Sequence, residues 1–130
     1  MAKILVVDDD KIVRLLLQEM IAREGHTVSA FENAKDALAS VSKAPPELVI
    51  TDIFMPEKSG LEMIVELRRL TPEIPIIAIS GDSASREGGH VECLEVAKCL
   101  GSSRILEKPF TKQQVVDAVK KALAGANPES

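Results

Sequence analysis

Five short apolar runs alternate with segments of helical periodicity along the whole chain, and this alternation constrains the fold more than any other feature. The runs are Ile4–Val7, a short stretch at His26–Phe31, Leu48–Ile50, Ile76–Ile79 and a weaker one at Ser103–Glu107. A strand that is buried on both faces has little reason to alternate apolar and polar residues, so near-continuous runs indicate a parallel sheet covered on both sides. The pattern predicts a three-layer α/β protein with five strands and five helices.

The segments between the runs carry apolar residues at the spacing of amphipathic helices. The predicted buried face is Val13, Leu16, Leu17, Met20 and Ile21 in the first helix and Val115, Ala118, Val119, Ala122 and Leu123 in the last. A fourth helix would carry Cys93, Val96, Ala97 and Leu100 on one side. Because Cys93 and Cys99 have neither a CxxC nor a metal-binding spacing, we interpret them as buried or half-buried thiols.

Polar residues and a glycine mark the predicted ends of these helices. Asn33 is a candidate N-cap for the second helix, and capping boxes are predicted at Thr111–Gln114 and Ser59–Glu62. Gly25 is a plausible stop for the first helix. No linker or internal repeat interrupts the alternation, which indicates one domain of about the modal size.

Right-handed crossovers leave few topologies for such a chain. We expect the doubly wound, flavodoxin-like (βα)5 fold, with a parallel five-stranded sheet in the order 2-1-3-4-5 and a switch point between strands 1 and 3. Ligands of these sheets bind beyond the carboxyl ends of the strands. The end of strand 1, Asp8–Asp10, therefore lies beside Asp52 at the end of strand 3.

Such a group of carboxylates needs an explanation. At about 4 Å, each pair repels by roughly 4 kcal/mol at an effective dielectric constant near 20, so the acids either share protons or hold a cation. Hard oxygen ligands suit Mg²⁺, and Mn²⁺ is an acceptable substitute. A rigidly held aspartate beside such an ion can attack a phosphoryl group and form an acyl phosphate. Alternatively, Asp8–Asp10 is only an acidic cluster favoured by the dipole of the following helix.

Two further polar residues follow strands on the same edge of the predicted sheet. Ser80 ends strand 4, and Lys108 follows strand 5 in the sequence Glu107-Lys108-Pro109. A hydroxyl and an ammonium are the groups that a phosphoryl-transfer site requires in addition to its acids. Each residue alone is weak evidence, but their convergence on one edge favours phosphoryl chemistry.

These motifs resemble the receiver domains of two-component response regulators, including the chemotaxis receivers. The matching pieces are ILVVDDD, LVITDIFMPEKSGLE, PIIAISG and ILEKPF, and the resemblance extends from Lys3 to about Leu123. It implies that Asp52 is the phosphoacceptor, that Asp9 binds Mg²⁺ directly and Asp8 through water, and that Phe54 lends its backbone carbonyl to the metal.

The resemblance also implies a switch mechanism. Ser80 would supply the hydroxyl that reaches for the phosphoryl group, and Lys108, commonly followed by a cis peptide bond in this family, would supply the pairing cation. A sensor histidine kinase or a histidine phosphotransfer protein would donate the phosphoryl group. The face formed by helix 4, strand 5 and helix 5 would bind a downstream protein, and Val116, off the buried stripe, is a candidate contact on it.

Three features depart from the family pattern. Ile105 stands where receivers commonly have Tyr or Phe, so the usual coupling between an aromatic ring and Ser80 is not expected. Phe54 is bulky and apolar, and we predict that it shields the acyl phosphate from water and that Phe54→Asn changes the rate of dephosphorylation. The polar, Gly-rich segment 81–90 is interpreted as a mobile loop or as a docking loop that orders when Ser80 engages phosphate.

Composition narrows the partners and the location. The 130 residues contain 16 Lys plus Arg and 20 Asp plus Glu, a net charge of −4, so no basic field favours direct contact with nucleic acid. No apolar run approaches the roughly 20 residues of a membrane span, and the amino terminus does not resemble a signal peptide. We therefore expect a cytoplasmic protein that does not insert into membranes, with a receiver domain at 1–124 and a short flexible tail at 125–130.

Two alternatives remain open from the sequence. The Asp-x-Asp pattern in VVDDDKI also occurs in haloacid-dehalogenase-like phosphatases, although these usually have a longer chain and a later paired-acid motif. A receiver that binds partners without phosphorylation is the second alternative, and the complete set of acids, Ser80 and Lys108 argues against it. On the preferred interpretation the chain is a regulatory domain that catalyses only its own phosphorylation and dephosphorylation. His26 and His90 are interpreted as ordinary surface or loop residues.

Overall fold

The computed structural model of the chain describes residues 2–53, 60–80 and 104–125. The described elements are β1 (Lys3–Val7), α1 (Lys11–Arg23), β2 (Thr27–Phe31), α2 (Ala34–Lys43), β3 (Leu48–Asp52), α3 (Gly60–Leu70), β4 (Ile76–Ser80), β5 (Arg104–Glu107) and α4 (Lys112–Gly125). Helix α4 corresponds to the fifth predicted helix. Several predictions concern residues outside the described ranges. These residues are Phe54, Ser59, segment 81–90 with His90, the helix with Cys93 and Cys99, and residues 126–130.

The five strands form one parallel sheet in the order β2-β1-β3-β4-β5. This confirms the predicted flavodoxin-like topology, with β1 and β3 adjacent at the centre. Every residue of β3 and of β4 is buried, which explains why their sequences are almost uninterrupted apolar runs.

Apolar clusters cover both faces of the sheet. Leu5 and Val7 of β1 belong to the cluster beneath α2 and α3, whereas Ile4 and Val6 belong to the cluster beneath α1 and α4. Successive residues of a strand point to opposite faces, so a single apolar run serves both layers. At roughly 1.5–3 kcal/mol for each large buried side chain, these two clusters supply most of the favourable free energy of folding.

The predicted signals at the helix ends are confirmed where the structure describes them. The side chain of Asn33 accepts a hydrogen bond from the Asp36 amide at 2.8 Å and so caps α2. Thr111 and Gln114 form a reciprocal capping box at the start of α4, with distances of 2.8 and 3.1 Å. Gly25 follows α1 with φ 94°, a left-handed conformation that glycine adopts without steric cost.

In two helices, the predicted burial of one residue at the edge of the apolar face is wrong. Leu16 is 46% exposed although it was expected in the buried face of α1, and Val116 is only 8% exposed although it was expected on the surface of α4. Both residues lie at the margin of their apolar stripe, so the position of the neighbouring helix determines whether each side chain is buried. Val116 faces the contact between α1 and α4, where it lines a small cavity with Ile21 and His26. Leu16 lies on the side of α1 that no described helix covers.

His26 lies in the loop between α1 and β2, as expected, but it makes a specific contact there. It is half-buried, and its Nδ1 accepts a hydrogen bond from the backbone amide of Ala2 at 3.0 Å. That contact joins the end of the α1–β2 connection to the beginning of β1.

No helix among the described residues is long and apolar enough to cross a lipid bilayer.

Candidate functional site

The polar residues singled out from the sequence follow the ends of four neighbouring strands. Asp8 comes directly after β1, Asp52 and Ser80 are the last residues of β3 and β4, and Lys108 follows β5. Asp52 is in register with Ile79, and Ser80 is in register with Glu107. Because the strands are parallel and end level with one another, these side chains share one rim of the sheet.

Three carboxylates meet at this rim. One oxygen from each of Asp8, Asp9 and Asp52 lies within 4.8 Å of the others, and we call these residues the acid cluster. Asp8 and Asp52 are buried, whereas Asp9 is exposed at the mouth. Oδ2 of Asp8 is buried and accepts no hydrogen bond of suitable geometry from the described residues. Closely spaced hard oxygen ligands, one of them buried without a hydrogen bond, fit a divalent cation such as Mg²⁺.

Asp10 has a different role from its two neighbours. Its Oδ1 accepts hydrogen bonds from the amides of Ile12 at 2.9 Å and Val13 at 3.4 Å, which makes it the N-cap of α1. The three consecutive aspartates therefore divide into two members of the acid cluster and one helix cap.

Lys108 places its ammonium between the two buried acids. Its Nζ lies 3.2 Å from Oδ2 of Asp52, to which it donates a hydrogen bond, and 3.2 Å from Oδ2 of Asp8. The contact with Asp8 is an ion pair without hydrogen-bond geometry. The amide of Lys108 donates to the carbonyl of Ser80 at 2.8 Å, and the Lys108–Pro109 peptide bond is cis, as the family resemblance implied.

Burial and charge change the ionisation of the site. The pKa of the Asp8 carboxyl is raised to about 6, mainly by burial and also by the nearby charge of Asp52, although the Asp10 amide and Lys108 oppose the change. Burial lowers the pKa of Lys108, but Asp52 and Asp8 outweigh it and raise the pKa above its ordinary value. The lysine therefore remains charged at neutral pH and offsets part of the repulsion between the acids.

Ser80 and Ile105 lie on adjacent strands at this end of the sheet. Ser80 is buried, and Ile105 is half-buried against the cluster beneath α2 and α3. A branched aliphatic side chain occupies the position where the family commonly has an aromatic ring. The metal-binding role expected of the Phe54 carbonyl concerns a residue outside the described ranges.

Sequence reasoning missed two polar residues that support the rim. Arg14 of α1 donates from Nη1 to the backbone carbonyl of Asp8 at 2.8 Å, and the buried hydroxyl of Thr51 donates to the carbonyl of Asp52 at 3.1 Å. Arg14 lies off the apolar stripe of its helix, where solvated charges are common. A charge at that position gives no sequence signal that it turns back onto the preceding loop.

Fold and rim together define a class of protein. This is a doubly wound α/β domain that gathers an acid cluster and a lysine at its topological switch point, an arrangement suited to phosphoryl chemistry beside a divalent cation. Comparison with known proteins gives the family. Residues 4–120 match the response regulator receiver domain, and the chain belongs to that family.

Individual relatives agree with this assignment. The chain is 32% identical over 127 residues to the DNA-binding transcriptional regulator NtrC of Azospirillum brasilense, covering 98% of this chain but only 25% of that protein. It is 32% identical to sporulation initiation phosphotransferase F of Bacillus subtilis, covering 93% of each. The crystal structure of the receiver domain of NtrX from Brucella abortus superimposes with a TM-score of 0.84 at 32% identity, covering 93% of this chain and 98% of that one.

The family assignment fixes the general function. The chain is a regulatory domain that acts as a phosphorylation-dependent switch in two-component signalling. The comparisons give no support to the phosphatase alternative or to a receiver that works without phosphorylation.

Proposed function

We propose that Asp52 is the residue that accepts the phosphoryl group, with Asp8, Asp9, Ser80 and Lys108 as its partners. The observation that carries this assignment is the position of the Lys108 ammonium, which lies 3.2 Å from the carboxylates of both Asp52 and Asp8. A nucleophile at the end of a buried strand, beside a fixed cation, needs little reorganisation when negative charge develops on the incoming group.

The transfer itself is a displacement at phosphorus. An oxygen of Asp52 attacks the phosphorus of a phosphohistidine, the new O–P bond forms as the N–P bond breaks, and the electron pair returns to the imidazole of the donor. Lys108 then exchanges part of its contact with Asp52 for a phosphoryl oxygen. The Ser80 hydroxyl donates a hydrogen bond to another phosphoryl oxygen.

The acid cluster holds the metal in this proposal. Asp9 and Asp52 would bind it directly, Asp8 through water, and the Phe54 carbonyl would complete the protein ligands. When bound, Mg²⁺ or Mn²⁺ supplies positive charge to the transferring phosphoryl group. The buried Asp8 oxygen, which has the Lys108 ammonium beside it but accepts no hydrogen bond from the described residues, supports this assignment, since a buried carboxylate oxygen is costly unless it is hydrogen-bonded or holds a cation.

Partners follow from the same chemistry. The donor is a sensor histidine kinase or a histidine phosphotransfer protein, and the output is a downstream protein that binds the face of β5, α4 and the predicted fourth helix. The net charge of −4 supports a protein rather than a nucleic acid as the direct target. We propose a cytoplasmic location and no activity other than phosphorylation and dephosphorylation of the domain itself.

Phosphorylation from a small-molecule donor tests the assignment. Wild type incubated with acetyl phosphate and Mg²⁺ is expected to gain the mass of one phosphoryl group, and Asp52→Asn is expected to gain none. Asp36→Asn removes an exposed acid of α2 and is the matched control, which is expected to be phosphorylated normally. Phosphorylation of Asp52→Asn to the level of wild type, or no phosphorylation of wild type, would contradict the proposal.

A further inference from the structure

We propose that Arg14 is a positioning residue that holds Asp9 in place for the divalent cation, an inference that rests on the proposed function. Arg14 is the fourth residue of α1, and its Nη1 reaches back to the carbonyl oxygen of Asp8 at 2.8 Å. Arg14 is half-buried, and its guanidinium forms no ion pair with a described carboxylate. Its recorded contact is therefore with the backbone of the acid cluster and not with its charges.

The peptide unit that Arg14 grips is the one that leads into Asp9. The carbonyl of Asp8 and the amide of Asp9 belong to one rigid plane, so holding the oxygen fixes the direction in which the chain enters Asp9. The Asp9 side chain is exposed and makes no hydrogen bond or ion pair with the described residues. Its aim toward the cluster is therefore set through the backbone.

Two other hydrogen bonds hold the same turn, at groups other than the carbonyl that Arg14 contacts. The Asp8 amide donates to the carbonyl of Phe31 at 3.1 Å, which ties the turn to β2. Oδ1 of Asp8 accepts from the Asp10 amide at 2.8 Å, which closes the turn onto the helix cap. Neither contact restrains the Asp8 carbonyl. Arg14 supplies the restraint on that group, and a charged donor makes it a strong one.

Charge and geometry predict opposite results when Arg14 is removed. Deleting a positive charge beside three carboxylates strengthens the binding of a cation, because the competing electrostatic repulsion falls. Deleting a group that aims a ligand weakens binding, typically by about 10- to 100-fold for residues that orient metal ligands. The direction of the change in Mg²⁺ affinity therefore separates the two roles.

The experiment measures Mg²⁺ binding to the unphosphorylated, folded protein by titration calorimetry. In Arg14→Met, the dissociation constant is expected to rise about tenfold. Arg23→Met is the matched control, since it removes the same charge from the same helix, about 14 Å further along the axis at 1.5 Å per residue. The guanidinium of Arg23 pairs only with the exposed Glu19 among the described residues, and its loss is expected to leave Mg²⁺ affinity unchanged.

Arg14→Lys keeps the charge but loses the planar guanidinium, and we expect it to bind Mg²⁺ more weakly than wild type and more tightly than Arg14→Met. It also decides the matter if urea unfolding shows that Arg14→Met is not folded. The inference is overturned if Arg14→Met binds Mg²⁺ as tightly as wild type or more tightly. Where only Arg14→Lys folds, the same result for that variant overturns it. If wild type itself binds no Mg²⁺, the proposed metal site is wrong as well. If wild type binds Mg²⁺ and is phosphorylated normally, and the Arg14 variants have the same Mg²⁺ affinity as wild type, only the role of Arg14 is wrong.

Discussion

The ammonium of Lys108 lies 3.2 Å from the carboxylate of Asp52, a residue 56 positions earlier in the chain. The same nitrogen lies 3.2 Å from the carboxylate of Asp8. One lysine thus contacts two buried acids at the ends of two adjacent strands and offsets part of their charge. Its charge competes with any cation that the acid cluster binds, and it is already placed for an anion that Asp52 would carry.

Replacing Lys108 is expected to change metal binding and phosphorylation in opposite directions. Lys108→Met removes the competing charge, so Mg²⁺ should bind more tightly to the unphosphorylated protein. It also removes a stabilising group for the developing phosphoryl charge, so phosphorylation by acetyl phosphate should slow by about 100-fold. Lys112→Met, an exposed lysine at the start of α4, is the control. Weaker Mg²⁺ binding together with slower phosphorylation would show that Lys108 supports the metal site instead of opposing it.

Asp8→Asn is expected to stabilise the metal-free protein at neutral pH. The pKa of Asp8 rises from 3.8 to about 6 on folding, so the folded state binds the proton more tightly and wild type loses stability as pH rises from about 4 to about 6. At 1.36 kcal/mol per unit, the difference reaches at most about 3 kcal/mol above pH 6. Lys108 loses one partner in the variant, which reduces the gain.

Urea unfolding of wild type and Asp8→Asn at pH 4 and pH 7.5, without Mg²⁺, measures that effect. The advantage of the variant should be present at pH 7.5 and absent at pH 4, and saturating Mg²⁺ should reduce or reverse it because wild type binds the ion more tightly. Glu32→Gln neutralises an exposed acid and serves as the control. An equal difference at both pH values would mean that Asp8 destabilises the fold for a reason other than its charge.

The exposed apolar residues of α1 are expected to matter for a protein donor and not for a small one. Ile12, Leu15 and Leu16 occupy the first two turns after the Asp10 cap, beside the acid cluster, and Ile12 is 70% exposed. A protein that delivers a phosphoryl group to Asp52 must cover the rim, and this is the adjoining apolar surface on α1. Ile12→Asn should slow transfer from a phosphorylated histidine kinase or phosphotransfer protein by about tenfold and leave phosphorylation by acetyl phosphate unchanged.

Val65→Asn provides the comparison for that experiment, since Val65 is also exposed and apolar but lies on α3, on the opposite face of the sheet. It should leave both reactions unchanged. If Ile12→Asn slowed both donors equally, the substitution would be acting on the acid cluster itself.

Val116 is expected to contribute to stability. It is buried where α4 meets α1, so Val116→Ala should lower the free energy of unfolding by about 1–2 kcal/mol through lost apolar burial and a residual cavity. Val65→Ala, on an exposed site, should change it by no more than about 0.5 kcal/mol. Urea unfolding followed by circular dichroism measures both. A neutral Val116→Ala would place that side chain at the surface after all.

The order of the strands and the convergence of the polar residues were predictable because both follow from periodicity and connection rules. Each apolar run identifies a strand, and parallel strands bring Asp8, Asp52, Ser80 and Lys108 to one rim wherever the intervening helices lie. The sequence could not assign Asp10, because an aspartate before a helix suits a metal site and an N-cap equally well. Only its hydrogen bonds to the Ile12 and Val13 amides decide.

Errors arose where the arrangement of two elements decides the environment of a residue. The periodicity of α1 and α4 gives the centre of each buried stripe but not which margin meets the neighbouring helix. Leu16 was therefore predicted to be buried and Val116 to be exposed, and the structure shows the opposite for both. The bond from Arg14 to Asp8 was missed for the same reason. A side chain that turns back along its own helix leaves no trace in a pattern of apolar spacing.

The lysine of this site follows the last strand of the sheet in sequence, so it is synthesised after the three acids. During synthesis on a ribosome, a nascent chain that has released the first four strands exposes the carboxylates without the amine that compensates them. The contacts that offset the charge of Asp8 and Asp52 therefore form only after the chain as far as Lys108 has been synthesised and β5 has joined the sheet.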